Sequence, residues 1–274
     1  MSGTQSRYTP GYGAHVTGLV QRSAVTHAAF FLSRLQPDSV VLDCGCGPGA
    51  ITKGLAEVVG DGVVVGCDIS TSQIAAATRQ DRPDQGTHPF YVLADVSRLP
   101  FADNSFDAVF AHTLLMHLAE PQSALREMYR VLKPSGIVGL REEDQGSQIY
   151  FPEDSDLRRA RSLHLREWQA TGGDPYVARK YRMLLSQVGF VDIEIGASAT
   201  VRSGPEAVRA KGERLSRMWG EKRFVEGMLE RGWVQQSEVH RLGDAWRRWG
   251  EHPHAFFADL NCEALASKPS EPSR

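Results

Sequence analysis

The sequence predicts an α/β fold in which a doubly wound, mostly parallel sheet carries helices on both faces. Apolar runs rich in Val recur between residues 40 and 144, and segments with the spacing of helices separate them. The runs are continuously hydrophobic, which is typical of strands that are buried on both faces of a parallel sheet. The regular alternation of strand and helix indicates the same fold class.

The predicted elements of the first half show this alternation of strands and helices. Residues 1–15 are rich in Gly, Tyr and Pro and are expected to form an irregular, lid-like arm, whereas 18–35 has apolar residues at helical spacing. Five strands are predicted, at 40–45, 62–68, 90–95, from 106 onward and at 136–144. The helices between them are predicted at 51–60, 72–80 and 121–133, the first ending at Gly60 and the third before Pro134 and Gly136.

The regular alternation of predicted strands and helices ends after residue 150. A polar helix is predicted at 153–170, an amphipathic helix at 174–190 and two further strands at 191–198 and 256–266. Segment 205–250, between these strands, is mostly helical and contains Trp219, Trp233, Trp246 and Trp249. We interpret it as a helical insertion within one domain. Most of its tryptophans are expected to pack in the core, and one or two to line an apolar ligand pocket.

Composition disfavours several classes of partner. The 274 residues carry a formal net charge of −2, whereas binding to nucleic acid or to an anionic membrane needs a surplus of Lys and Arg. No run approaches the roughly 20 apolar residues of a membrane span, and the first residues lack the apolar core of a signal peptide. The four cysteines lack the spacing of a zinc site, so we expect reduced thiols, no metal and a cytoplasmic protein.

The most informative motif is VLDCGCGPGAIT at 41–52, a strand, a glycine turn and the start of a helix. Gly45, Gly47 and Gly49 permit positive φ angles and a close approach of the backbone to a ligand. The spacing is GxGxG, whereas the dinucleotide-binding turn is GxGxxG. Asp43 precedes the first glycine, and its carboxylate would repel a diphosphate but attract an ammonium group. The turn therefore favours a cationic ligand, such as S-adenosylmethionine, over a dinucleotide.

Two further acids close the next two predicted strands and fit the same ligand. Asp68 is placed to accept hydrogen bonds from ribose hydroxyls. Asp95 is placed to accept one from the exocyclic amine of adenine, while Ile69, Val96 and Leu99 are candidates to enclose the ring. Each acid alone could instead cap the following helix. Because the carboxyl ends of parallel strands share one edge of the sheet, we expect the three acids in one cleft.

These motifs, followed by LADVSRLPFADNSFDAVFAHTLLMHL and REMYRVLKPSG, resemble the class I S-adenosylmethionine-dependent methyltransferases of the ubiquinone/menaquinone-biosynthesis-like group (methyltransferase type 11/25). The resemblance covers roughly 38–140 and implies a Rossmann-like, seven-stranded sheet whose last strand is antiparallel. It also implies S-adenosylmethionine as the cofactor. We predict a single domain, 1–274, that comprises an N-terminal arm and helix (1–35), a cofactor-binding core (36–150) and a helical insertion or lid (205–250). The cofactor-binding residues are predicted to be Tyr12, Asp43, Gly45, Cys46, Gly47, Asp68, Ile69, Asp95, Val96 and His112.

Transfer of a methyl group from a sulfonium needs alignment of the reacting atoms, and a general base where the acceptor atom must lose a proton. The candidates for that base follow the fourth and fifth strands: His112, His117, Glu142 and Asp144, with Glu143 beside them. Either histidine could instead serve as a structural hydrogen-bonding group, and the acids could lie in a solvated turn. Arg141 is a candidate to pair with an acid or to hold an acidic substrate, and Tyr8 and Tyr12 to close over the cofactor.

The sequence thus predicts in-line transfer of a methyl group to O, N, S or C of a small metabolite, hydrophobic or aromatic in character and typical of secondary metabolism. The expected protein is a monomer or homodimer with a small-molecule acceptor and no nucleic-acid or membrane partner. Three alternatives stay open: a cofactor-binding lyase or regulator that does not methylate, a methyltransferase acting on RNA or protein, and a nucleotide-binding oxidoreductase. The absent GxGxxG turn disfavours the last of these.

Overall fold

The computed structural model describes residues 22–80 and 88–270. Within these residues the strands are β1 (Val40–Cys44), β2 (Val63–Asp68), β3 (Phe90–Leu93), β4 (Phe106–His112), β5 (Leu132–Glu143), β6 (Ile149–Phe151), β7 (Val191–Arg202) and β8 (Phe256–Ser267). The α-helices are α1 (Ala24–His27), α2 (Ala29–Leu32), α3 (Ala50–Val59), α4 (Thr71–Gln80), α5 (Pro121–Val131), α6 (Ser155–Ala170), α7 (Tyr181–Val188), α8 (Pro205–Gly220), α9 (Lys222–Glu230) and α10 (Gln236–Glu251). Two 3₁₀ turns lie at Leu115–His117 and Val177–Lys180.

The described strands form one sheet in the order β3–β2–β1–β4–β5–β8–β6, and β7 also pairs with β8. Strands β1 to β5 are mutually parallel, whereas β8 runs antiparallel to both β5 and β7. The predicted Rossmann-like arrangement with an antiparallel last strand is therefore confirmed. The short strand β6 adds an eighth member by pairing with the beginning of β8, and its three residues are too few to produce a periodic signal in the sequence.

Two predicted helices are interrupted in the structure. The described part of the predicted helix 18–35 consists of α1 and α2, because Ala28 adopts non-helical backbone angles of φ −131° and ψ 14°. The predicted helix at 174–190 is a 3₁₀ turn followed by α7, which ends at the left-handed residue Gly189. Helical spacing of apolar residues does not reveal such breaks, since the spacing continues across them.

Hydrophobic clusters cover both faces of the parallel strands. Phe31 and Leu55 belong to the cluster on one face, and Leu125 and Met128 to the cluster on the other. A third cluster joins α6 to α8, α9 and α10 and contains Trp219, Trp246 and Trp249. The expected packing role of these tryptophans is thus observed, while Trp233 is only partly buried against the cluster. None of the described helices is long and apolar enough to cross a membrane.

Helices α8 and α10 cross where two glycines meet. A Cβ atom added to Gly212 would lie 2.7 Å from both the Gly250 Cα and the Trp246 carbonyl oxygen. Both neighbours are backbone atoms, so a methyl group at this position would force the helices apart. The close crossing therefore requires glycine at position 212.

We predict that Gly212→Ala lowers the free energy of unfolding by about 1–3 kcal/mol, since overpacking outweighs the higher helix propensity of Ala. Urea unfolding measures the change. The matched control is Gly220→Ala at the end of α8, where an added Cβ has no neighbour within 4 Å and stability should be unchanged or slightly higher. Equal stability of Gly212→Ala and the wild type would contradict the packing described.

Candidate functional site

A cleft lies at the carboxyl ends of the parallel strands, where ligands of open α/β sheets bind. Nine described residues that the sequence predicts to bind the cofactor line it. They are Asp43, Gly45, Cys46, Gly47, Asp68, Ile69, Asp95, Val96 and His112. Tyr8 and Tyr12 lie outside the described residues. Leu99, expected beside Val96, is instead buried in the core at 4% exposure and is not among the residues that line the cleft.

The glycine turn has the backbone conformation that its sequence predicts. Gly45, Gly47 and Gly49 have φ angles of +71°, +54° and +83°. The amides of Gly45 and Cys46 donate to the carbonyl of Cys67 at 2.8 and 2.9 Å, which ties the turn to the end of β2. A Cβ atom on Gly45 would lie 2.9 Å from Leu114 Cδ1. Larger residues at position 45 would therefore strain the backbone and displace the wall of the cleft.

Asp43 is a buried carboxylate at the base of the cleft, with 2% exposure. Thr52 Oγ1 donates to Asp43 Oδ2 at 2.6 Å, the single hydrogen bond found for this carboxylate among the described residues. Burial raises the pKa of Asp43 to about 7, and the nearby charge of Asp68 adds to the rise. A carboxylate of this kind is stabilised in its charged form by a cation that binds beside it.

Asp68 and Asp95 complete the acidic lining. Asp68 Oδ2 accepts from the Gly47 amide at 3.0 Å, and Asp68 Oδ1 accepts from the Ser70 amide at 2.8 Å. Asp95 Oδ1 accepts from the amide and the hydroxyl of Ser97 at 2.8 and 2.7 Å. These bonds fix the direction of each carboxylate.

A second cavity of about 750 Å³ adjoins the cleft and lies among residues of α6, α8, α10, β7 and β8. Its apolar wall includes Trp168, Trp219 and Trp246. The cleft and the cavity share four lining residues, Arg22, His112, Thr113 and His117. A ligand in the cavity would therefore meet a ligand in the cleft at this shared rim.

Known proteins resemble parts of the chain, and one resembles nearly all of it. A family model described as "Methyltransferase domain" matches residues 42–140. The protein named "Probable methyltransferase ltbC" of Aspergillus luteorubrus is 31% identical over 97% of this chain and 99% of its own length. The demethylmenaquinone methyltransferase of Beutenbergia cavernae is 42% identical over 37% of this chain and 39% of its own length.

The fold resembles that of a phosphoethanolamine N-methyltransferase from Haemonchus contortus, solved with S-adenosylhomocysteine. The TM-score is 0.56 at 19% identity, and the match covers 90% of this chain and 52% of the other. The chain belongs to the class I S-adenosylmethionine-dependent methyltransferases. S-Adenosylmethionine is accordingly its cofactor, and the acidic cleft with its glycine turn suits that cation better than a diphosphate.

The methyltransferase holds His112 in a fixed tautomer. Arg141 Nη1 lies 2.9 Å from His112 Nε2, and since arginine can only donate, Nε2 is the acceptor. The proton of the neutral ring is then on Nδ1, which faces Thr113 Oγ1 at 3.1 Å. Burial lowers the pKa of His112 well below its usual value, and the charges of Arg22 and Arg141 lower it further. This arrangement disfavours His112 as a general base, because its one basic nitrogen is already occupied.

His117 also lies at the shared rim. It stacks on Trp168 with ring centroids 5.0 Å apart and the ring planes inclined by 12°. It lines both the cleft and the cavity, whereas His164, which also stacks on Trp168, lines the cavity alone. Both histidines expected as bases therefore lie at the shared rim, where Nε2 of His112 accepts from Arg141.

Glu142 and Asp144, the predicted acidic candidates for the base, are not among the residues that line the cleft or the cavity. Glu142 Oε1 accepts from the amides of Leu114 and Leu115 at 2.8 and 2.7 Å, so it supports the turn that carries His117. Asp144 pairs with Arg179 at 2.7 Å and accepts from the Gly146 amide. Both carboxylates thus have structural partners. Glu143, between them in sequence, does line the cavity.

Some residues of the site were not singled out in the sequence. Thr52, which donates to Asp43, is the last residue of the glycine-turn motif and could have been expected. Arg161 lies in the helix predicted to be polar and Lys211 in the predicted helical insertion, and only the tertiary structure shows that both line the cavity. Among the described residues no group of His, Cys, Asp and Glu has the arrangement of a metal site. All four cysteines are free thiols.

We predict that Glu142→Ala lowers the free energy of unfolding by about 2–4 kcal/mol, because two amides would lose their acceptor, while Glu142→Gln keeps the acceptor. Burial raises the pKa of Glu142 to about 8, above the roughly 4.3 of an unfolded chain. Ionisation therefore destabilises the folded state, and the wild type should lose stability relative to Glu142→Gln as the pH rises from 5 to 8. Urea unfolding at several pH values measures this, and a difference independent of pH would contradict the burial described.

Proposed function

We propose that this methyltransferase transfers the methyl group to O, N, S or C of a small organic molecule with a hydrophobic or aromatic body, which binds in the 750 Å³ cavity. The proposal rests on the rim shared by the cleft and the cavity, because an acceptor in the cavity would lie next to a cofactor in the cleft at this rim. The volume is typical of small-molecule sites, and the tryptophans of its wall suit a flat apolar body. This size and the tryptophan wall support a small acceptor over RNA or protein.

We propose roles for the residues of the cleft. Asp43 binds the ammonium group of the cofactor, Asp68 the ribose hydroxyls and Asp95 the adenine amine, while Ile69 and Val96 contact the ring. Bound S-adenosylmethionine supplies an activated methyl group on a sulfonium, from which a neutral thioether leaves. The chain itself has to orient the acceptor at the rim, exclude water and accept a proton where the acceptor atom carries one.

We also propose that His117 accepts that proton and that His112 serves as a positioning residue, held by Arg141. The helices of 205–250 cover the cavity as an insertion or lid of the single domain, since Lys211, Leu215 and Trp246 line it from α8 and α10. Secondary metabolism, a cytoplasmic location and a monomer or homodimer stay predictions. The reduced thiols support the location.

We predict that Asp43→Asn weakens S-adenosylhomocysteine binding at least about tenfold at pH 8, since it removes the charge beside the ammonium group. Because the pKa of Asp43 is about 7, the affinity of the wild type should rise with pH up to about 7 and then level off, whereas the variant should show no such rise. Isothermal titration calorimetry between pH 6 and 8 measures both effects. The control is Asp38→Asn, an exposed position before β1, and equal affinities for all three proteins would count against the assigned role.

For the proton acceptor, we predict that His117→Asn lowers kcat about 10²–10⁴-fold with any acceptor that loses a proton, and leaves cofactor affinity nearly unchanged. Acceptors are found by screening small molecules for release of S-adenosylhomocysteine. His164→Asn is the matched control, since His164 also stacks on Trp168 but lies outside the cofactor cleft. Similar losses in both variants would point to packing against Trp168 and not to proton transfer.

A further inference from the structure

The acceptor cavity is strongly cationic, although the protein as a whole carries a net charge of −2. Seven arginines and lysines line it, against three carboxylates. Among them, Arg141 lies 3.2 Å from Glu263 and Arg202 lies 3.2 Å from Asp259. Lys211 and Arg161 also line the cavity, and among the described residues neither has a carboxylate within ion-pair distance.

Lys211 is a buried lysine, with 6% exposure, on the inward face of α8. Its Nζ lies 3.9 Å from the centroid of the Phe257 ring, and among the described residues it forms no hydrogen bond or ion pair. Glu143 and Asp259 act on its charge from beyond ion-pair distance, while Arg214 and Arg202 oppose it. Burial lowers the pKa of Lys211 to about 7, so an anion that bound beside it would restore its charge.

Arg161 approaches the same region from α6. Its Nη1 donates to Gln145 Oε1 at 3.0 Å, whereas its Nη2 is buried and finds no acceptor. Arg161 and Lys211 both act on Glu143, together with Arg214, so these cations surround one carboxylate. A guanidinium with a free donor beside an unpaired ammonium is a suitable site for a carboxylate.

We infer that the acceptor is an organic acid whose carboxylate binds to Lys211 and Arg161, while its apolar body packs against the tryptophans of the cavity. This rests on the proposed function, since it assigns the acceptor to this cavity. Lys211 and Arg161 do not line the cofactor cleft, so the carboxylate anchors the acceptor and a different atom receives the methyl group. The acid group is therefore retained in the product.

The test uses the full chain saturated with S-adenosylhomocysteine and a panel of bicyclic aromatic carboxylic acids, each compared with its primary amide. Calorimetry should show that at least one acid of the panel, such as 2-naphthoate, binds the wild type at least about tenfold more tightly than its amide. Lys211→Met and Arg161→Met should each remove most of this preference. Lys222→Met is the matched control, because Lys222 is 85% exposed on α9, and it should keep the preference.

The outcomes distinguish failure of this inference from failure of the proposed function. Equal binding of acids and amides, no binding of any acid, or a full preference in both variants would overturn the inference. Both variants must retain the S-adenosylhomocysteine affinity of the wild type. Lys211 and Arg161 lie on different helices, so if one variant fails to fold, the other still provides the test. Absence of S-adenosylhomocysteine binding to the wild type would instead overturn the function on which the inference rests.

Discussion

The position of the glycine turn over the end of β2 is the constraint on which the cofactor cleft depends. Two amides of the turn donate to one carbonyl, that of Cys67, and this brings Asp43 at the end of β1 and Asp68 at the end of β2 into one cleft. The turn reaches this position only with left-handed residues, which glycine adopts without strain. Asp68 reinforces the arrangement by accepting from the Gly47 amide, so an acid that lines the cleft also holds the turn in place.

Buried ionisable groups recur around the site and work against stability. Burial raises the pKa of Asp43 and Glu142 and lowers the pKa of Lys211, and each shift favours the neutral form of the side chain. Burial of a charge is costly unless a partner compensates for it, and in Asp43 and Lys211 the partner we propose is a ligand. Each ligand would then stabilise the fold, because a ligand that binds only the folded state shifts the equilibrium away from the unfolded state. Glu142 differs, because its partners are the backbone amides of the turn before His117.

Arg141 shows how one residue can decide the role of another. From sequence, His112 and His117 were equivalent candidates for a general base, since both follow the fourth strand. Arg141 in the neighbouring strand β5 lies beside His112 in the parallel register, and its guanidinium donates to the histidine. Strand pairing joins residues 29 positions apart, so no local pattern predicts this contact. The same holds for Glu142, which reaches back across the sheet to Leu114 and Leu115.

The sequence by itself determined the elements of the parallel sheet, the glycine turn and the acids at the ends of β1, β2 and β3. These features are local, because hydrophobic runs, positive φ angles and strand ends are set by neighbouring residues. Tertiary structure alone decided the breaks at Ala28 and before α7, the pairing of β6 and the partners of Glu142 and Asp144. It also decided that Lys211 and Arg161 face a cavity, because the packing of α6 and α8 with α10 brings both side chains to its wall.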